Sequence, residues 1–464
     1  MRLSNLPDAG ILRRRAGGVP TLAPRRPWLR LLLPVNLLPA VMSRKRAWLG
    51  SLGLLLAALV TALLLAEGLL RAAGQSYYWA VAKRPDPVLG WRPPPQVQAW
   101  QRFEGEALVR TNALGFRDDD HAPPKPAGTL RIAVLGDSFT EAVQVPLAQT
   151  WWRVMAARLG AGAEDCALTP PVAALNFAVS GYSTAQSLLT WRAHARRFDP
   201  DVVVLAFFIG NDLSENHPAL DAEPLRPYFR PPAAEGGELV LDDGFRRNPA
   251  YQAATSALGQ TRQWLLERSR VAQLVVQARD AGRLRALTAA PVAADRAAPS
   301  EDAATAPQEP GVDNAIYGPP DSSAWREAWQ ATEAMLAAFA KEVRAAGATP
   351  LLMLIGTGVQ VHPDPRVPAR FAAALGVADL GYPVRRLLDA AARHELAVLN
   401  LPALLSARAE RDGVLLHGFP GGRPGLGHWN ADGHRAAGEA AAEHLCTMAA
   451  EALGAGGESV QARD

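Results

Sequence analysis

Ile132-Ala133-Val134-Leu135-Gly136-Asp137-Ser138-Phe139-Thr140 sets four apolar residues directly before Gly-Asp-Ser. An unbroken apolar run of this length predicts a short strand buried on both faces, as in a parallel sheet covered by helices. The Gly-Asp-Ser that follows predicts a strand end, and a helix is expected after it. Glycine permits the tight turn, and a helix amino end favours negative charge developing beside it. Such a turn lifts a serine hydroxyl to the open edge of a sheet, where it can attack a carbonyl. An ordinary strand-to-helix turn has the same local pattern, so the decision falls to later segments.

Three of them bear on it. Asn176-Phe177-Ala178-Val179-Ser180-Gly181-Tyr182-Ser183-Thr184 predicts a second strand end, with glycine where backbone passes closely. Val202-Val203-Val204-Leu205-Ala206-Phe207-Phe208 suits another strand buried on both faces, and Ile209-Gly210-Asn211-Asp212 follows at its carboxyl edge. Open α/β sheets bind their ligands at that edge. His428-Trp429-Asn430-Ala431-Asp432-Gly433-His434 stands just before an Ala-rich helical run near the C-terminus.

In this order the four segments resemble the GDSL, or SGNH, hydrolase family. Its blocks are Gly-Asp-Ser, a lone Gly, Gly-x-Asn-Asp (here Gly210-Asn211-Asp212, without the intervening residue) and a C-terminal His. The resemblance runs discontinuously from about Arg110 to Leu445. Thr111-Asn112-Ala113-Leu114-Gly115-Phe116-Arg117 is similar to the lead-in of membrane-anchored bacterial members. The resemblance implies Ser138 as nucleophile and His428 as general base. It implies an oxyanion hole from the N–H groups of Ser138 and Gly181 and the Asn211 amide. It brings no cofactor, and no Cys/His cluster has metal-ligand spacing.

The chain departs from the family in one place. An acid usually stands three residues before the histidine, where this chain has Gly425. That acid orients the imidazole and stabilises its charged form. Its absence leaves three possibilities: a Ser-His dyad steadied by a carbonyl, an acid such as Asp432 or Asp412 reaching over, or an impaired site. The alternative base is His434, preceded by Asp432; the bland reading of His434 is a packed residue at a helix start.

Residues 1–46 hold ten Lys/Arg and one acid, whereas the whole chain is only +3, so residues 47–464 carry −6. The body shows no nucleic-acid footprint. Ala47–Ala66 is uncharged for twenty residues, enough for roughly 30 Å of helix and a bilayer core. Arg44-Lys45-Arg46 before it predicts a cytoplasmic amino end and an exported body. The expectation is a single-pass inner-membrane protein with its catalytic domain in the periplasm; a cleaved signal peptide is the alternative. Residues 1–46 are expected to be a basic cytoplasmic arm; the alternative is a start at Met42, with residues 1–41 an extension upstream of it. An exported domain could pair the two cysteines, Cys166 and Cys446, but they lie far apart in sequence and the preferred expectation is two unpaired thiols.

The expected organisation is a transmembrane helix over 47–70, a lead-in over 74–125 and the hydrolase domain over 130–455. Candidate parallel strands are Ile132–Leu135, Ala174–Phe177, Val202–Phe208, Leu351–Ile355 and Ala397–Leu399, with helical segments between most of them. That alternation predicts an α/β fold, a doubly wound parallel sheet of the flavodoxin-like three-layer kind. Residues 216–323 break the pattern and form an inserted subdomain: a hairpin in 226–245, amphipathic helices in Gln252–Leu287, and a disordered loop over about 289–321. The insertion follows Asn211 and should overhang the active site.

The expected function is therefore a membrane-anchored serine esterase acting on acetyl or short acyl esters of an envelope glycan or lipid. Acyl transfer to a polysaccharide is one alternative. A catalytically weak envelope-binding module, motivated by the missing acid, is another.

Overall fold

The computed structural model describes residues 41–162, 166, 168, 171–231, 238–289, 308–420 and 422–461. The chain divides into two compact units at Ala62/Leu63. Helix α1, Val41–Ala72, begins in the first and ends in the second. Its Trp48–Ala72 portion is long and apolar enough to cross a membrane.

The second unit opens with two small antiparallel pairs, β1 (Arg84–Asp86) with β2 (Gly90–Arg92) and β3 (Gln98–Gln101) with β4 (Ala107–Arg110). Strand β5 (Leu130–Leu135) runs into the four-residue helix α2 (Ser138–Glu141). There follow α3 (Trp151–Gly160), β6 (Val172–Asn176), α4 (Thr184–Ala193) and β7 (Val202–Phe208). The insertion carries β8 (Tyr228–Arg230), β9 (Val240–Asp242), α5 (Pro249–Thr255), α6 (Ala257–Arg268) and α7 (Arg270–Ala289). The chain then completes the sheet with α8 (Ser323–Ala345), β10 (Thr349–Ile355), α9 (Arg366–Leu375), α10 (Tyr382–Arg393), β11 (Ala397–Asn400), α11 (Leu401–Asp412) and α12 (Ala431–Gln461).

The five-stranded sheet has the order β11-β10-β7-β5-β6 and is parallel throughout. Counted along the chain this is 2-1-3-4-5, the flavodoxin-like doubly wound order. Helices α4, α8 and α10 pack together in one layer, and α3, α11 and α12 in the other. With both faces covered, β7 has no polar side: Val203, Ala206 and Phe207 are all 0% exposed. That is why the strand is a continuous apolar run rather than an alternating one. Trp151 and Trp152 are buried as helix-packing residues, and the Trp152 indole also donates to the Thr140 carbonyl (3.0 Å), tying α3 to the end of α2.

Three expectations are corrected. Cys166 and Cys446 are not free thiols; they form a disulfide with Cα atoms 5.0 Å apart. Packing of α3 against α12 brings together segments that are 280 residues apart in sequence. The segment around 289–321 is not a loop throughout. Residues 290–307 lie outside the described residues, but Val312, Ile316 and Tyr317 are buried in the main core, which gives 308–321 enough apolar contact to order it. Helices α9 and α11 were not anticipated; α11 starts directly at the end of β11, with Pro402 in its first turn, leaving no loop to signal it.

Candidate active site

The switch point of the sheet, where neighbouring connections leave in opposite directions, lies between β5 and β7. Ser138 follows β5, Gly181 follows β6 and Asn211 follows β7, so all three emerge at one carboxyl edge. Gly136 makes the turn: its φ is +149°, and a Cβ there would lie 2.8 Å from the Ala206 carbonyl oxygen. Asp137 caps α2 by accepting from the Phe139 N–H (3.0 Å). Burial pushes the Asp137 carboxyl up to about 6, although that same N–H acts to lower it.

His428 Nε2 lies 2.8 Å from Ser138 Oγ. Its Nδ1 lies 2.5 Å from Glu104 Oε2, and its backbone N–H donates to Glu104 Oε1 (3.1 Å). Glu104 sits in the turn between β3 and β4, 324 residues before the histidine. Burial acts to raise its carboxyl, but the hydrogen bond and charge of His428 outweigh this and hold it below the ordinary Glu range. Gly427 leaves room for it: φ is +83°, and a Cβ would lie 2.6 Å from Glu104 Oε1. The buried His417 ring is 2.7 Å from the Gly427 carbonyl and steadies the same turn.

Of the three possibilities left by the missing acid, the geometry matches a carboxylate reaching over from elsewhere, and the residue at His428 Nδ1 is Glu104 rather than either of the two named. Asp432 is not that acid. It lies in the first turn of α12, and its carboxylate accepts from Arg435 (2.6 Å). Asp412 pairs with Arg411 at the end of α11. His434 is not placed as the base: it is 1% exposed, with its ring edge-on to Trp429 at 5.6 Å. Its bland reading, a packed residue at a helix start, is what the structure contains.

Burial lowers the pKa of His417 to about 4 and of His434 to about 3. Both are therefore neutral when folded, while the unfolded chain takes up protons below its ordinary His value of about 6.5. Stability is then present above about pH 6.5 and lost as pH falls towards 4. The loss for His417 alone is about 3 kcal/mol at pH 4. Thermal midpoints measured between pH 7 and 4 should fall steeply for wild type and less so for His434→Gln. Parallel curves would exclude His434 as a contributor.

Behind the edge, a buried network holds the remaining residues. The Ser180 N–H donates to Glu141 Oε2 (2.6 Å), linking α2 to the loop of Gly181. Glu141 also accepts from the Tyr78 hydroxyl, and Arg117 donates to the Glu141 (2.8 Å) and Val145 (2.6 Å) carbonyls. On the other side Arg226, 4% exposed, donates to the Gly181 carbonyl (2.8 Å) and faces Glu215 (3.2 Å). Glu215 Oε1 in turn accepts from Asn211 Nδ2 (3.3 Å). The inserted subdomain thus supplies one side chain that braces both Gly181 and, through Glu215, Asn211. Arg226→Lys keeps the charge but not the fork, so kcat should fall about 10²-fold with KM little changed. A change in KM alone, measured with a soluble ester, would deny the bracing role.

Ser138, Gly181, Asn211, Glu104 and His428 all line one cavity of about 590 Å³. Tyr77, Trp79, Phe103, Phe139 and Phe208 provide much of its wall, and Glu309 to Gly311 from the end of the insertion close one side. Glu309 is held there by the N–H groups of Gly358 (2.8 Å) and Val359 (3.0 Å). Chemically, the imidazole can take the Ser138 proton while Glu104 balances its charge, next to neutral donors suited to an oxyanion. Among the described residues no group of His, Cys, Asp and Glu is arranged to hold a metal ion.

No protein-family model matches the sequence, and no curated protein matches it. Similar solved structures include a putative GDSL-like lipase from Parabacteroides merdae, 11% identical with a TM-score of 0.33, covering 68% of this chain and 94% of that one. The acetylxylan esterase Axe2 from Geobacillus stearothermophilus is 9% identical with a TM-score of 0.31, covering 67% and 91%. TesA is 15% identical with a TM-score of 0.29, covering 67% and 94%. Similarity this low says nothing about chemistry, which rests on the side-chain geometry.

Proposed function

We propose that this protein is a serine ester hydrolase of the GDSL type, anchored to a membrane by α1. The observation that carries the reading is the hydrogen-bonded series Ser138–His428–Glu104 opening into the cavity. Ser138 Oγ attacks the ester carbonyl as His428 Nε2 takes its proton. The tetrahedral oxyanion is met by the N–H groups of Ser138 and Gly181 and by the Asn211 amide. His428 then protonates the leaving alkoxide, and an acyl-serine remains. Water, activated by the same imidazole, releases the acid and restores the serine.

The basic run Arg44-Lys45-Arg46 supports an inner-membrane orientation with the active site outside the cytoplasm. Esters on an envelope glycan or lipid are the substrates that this location offers. The cavity is much larger than an acetyl group, and this favours keeping acyl transfer to a polysaccharide as the second reading: the same acyl-serine would pass to a sugar hydroxyl. Glu104 argues against a catalytically weak binding module, since the missing acid was the motive for it.

A fluorophosphonate probe tests the reading directly. It should label the full-length protein at Ser138, located by peptide mass spectrometry, and leave Ser138→Ala unlabelled. Equal labelling of both proteins would end the hydrolase reading. Product analysis with an acetyl donor and glycan present then separates acylated glycan from free acid.

A further inference from the structure

We propose that α6 and α7 form a second membrane contact, lying in the lipid surface beside the end of α1. The proposal rests on the membrane-anchored reading above. Leu258, Trp264 and Leu265 of α6 are 80%, 54% and 47% exposed, and Leu274 and Val275 of α7 are 47% and 65% exposed. At helical spacing, Leu258, Thr261, Arg262, Trp264, Leu265 and Arg268 fall within an arc of about 160°. Leu266 is buried on the inner side, and Glu267 lies off the arc, between Arg84 (4.0 Å) and Arg268 (3.9 Å). The outer arc therefore carries large apolar side chains and two cations, with no acid. A helix facing water alone would show polar residues there. Trp, Leu and Arg together on one exposed face suit the boundary between headgroups and acyl chains, and the cations complement anionic lipid.

Continuity with α1 identifies the occupant. Glu67, in the final turns of that helix, accepts from Ser269 Oγ (2.9 Å) and from the N–H groups of Arg270 (2.9 Å) and Val271 (3.1 Å). Arg71 donates to the Arg268 carbonyl (2.5 Å). The corner between α6 and α7 is thereby fixed to the turns from which Leu65 and Leu69 project, 64% and 71% exposed. The inner side of α7 joins the catalytic cavity. Gln273 accepts from the Tyr77 N–H (3.1 Å), Asp280 accepts from the Tyr77 hydroxyl (3.3 Å), and both Tyr77 and Asp280 line the cavity wall. One helix then meets lipid on its outside and the site on its inside.

Because Cys166 and Cys446 are paired, a single introduced cysteine can be labelled selectively. Full-length Leu258→Cys, Leu265→Cys and Val275→Cys would each carry an environment-sensitive fluorophore in phosphatidylcholine–phosphatidylglycerol vesicles containing nitroxide lipid. Leu56→Cys reads the α1 anchor itself, and Leu404→Cys, exposed on α11, is the aqueous reference. Quenching at 258, 265 and 275 should be about threefold stronger than at 404, and weaker when Arg262 and Arg268 are both changed to Gln. Quenching no stronger than at 404 overturns the proposal. Protection from aqueous iodide without lipid quenching also overturns it, and makes a second copy of the chain the occupant. Quenching at 265 without quenching at 56 upholds the contact and defeats the anchor. Ester turnover does not enter these measurements, so failure of the hydrolase reading shows separately.

Discussion

Purified His428→Ala should turn over a soluble ester about 10⁶-fold more slowly than wild type, at the level of Ser138→Ala. The two residues act as one unit: without the imidazole 2.8 Å from Oγ, the hydroxyl has no acceptor for its proton. The double variant should be no worse than either single one, because neither group works alone. His434→Ala should instead keep most of its turnover and lose stability, since its ring fills space against Trp429. Steady-state kinetics with thermal melts on wild type and the four variants decide it. Full activity in His428→Ala together with loss in His434→Ala would reverse the assignment.

Glu104→Gln should lower kcat by up to about 10⁴, with KM nearly unchanged. The amide can still hydrogen-bond to Nδ1, but it carries no charge to balance an imidazolium, and it can favour the wrong tautomer. Folding should suffer little, because the side chain is nearly isosteric. Asp432→Asn is the internal control: its carboxylate serves Arg435, so turnover should stay within about twofold of wild type, as expected for an exposed ion pair. Equal loss in the two variants, or loss only in Asp432→Asn, would remove Glu104 from the mechanism.

These two experiments fall on either side of what could be read in the chain. The strands of the sheet are mainly apolar, with Arg131, Asn176, Thr349 and Asn400 as polar residues at or near their ends, and in the central β7 burial on both faces selects a continuous apolar run. Ser138, Gly181, Asn211 and His428 were singled out by the order of four segments that resembles a family pattern, and the structure brings all four to one cavity. Each segment alone fits an ordinary strand end or helix start; only their combination marks the residues.

Glu104 carries no such mark. It occupies a polar turn between Gln101 and Ala107, among other charged residues, and nothing nearby distinguishes it from Glu106. Its role comes from where the β3–β4 pair packs, at the mouth of a sheet whose histidine arrives 324 residues later. Arg226 is similar: an arginine in an insertion becomes a brace only when its loop closes under Gly181. The cysteine pair and the ordered stretch around Glu309 follow the same rule. The sequence by itself determined the parallel α/β sheet and the apolar helix near the amino end, because periodicity and turn chemistry act over a few residues, and the order of its four segments singled out the strand-end residues by resemblance. Tertiary structure alone decided the acid, the braces and the disulfide, because such pairings depend on long-range packing that brings distant side chains within a few ångströms.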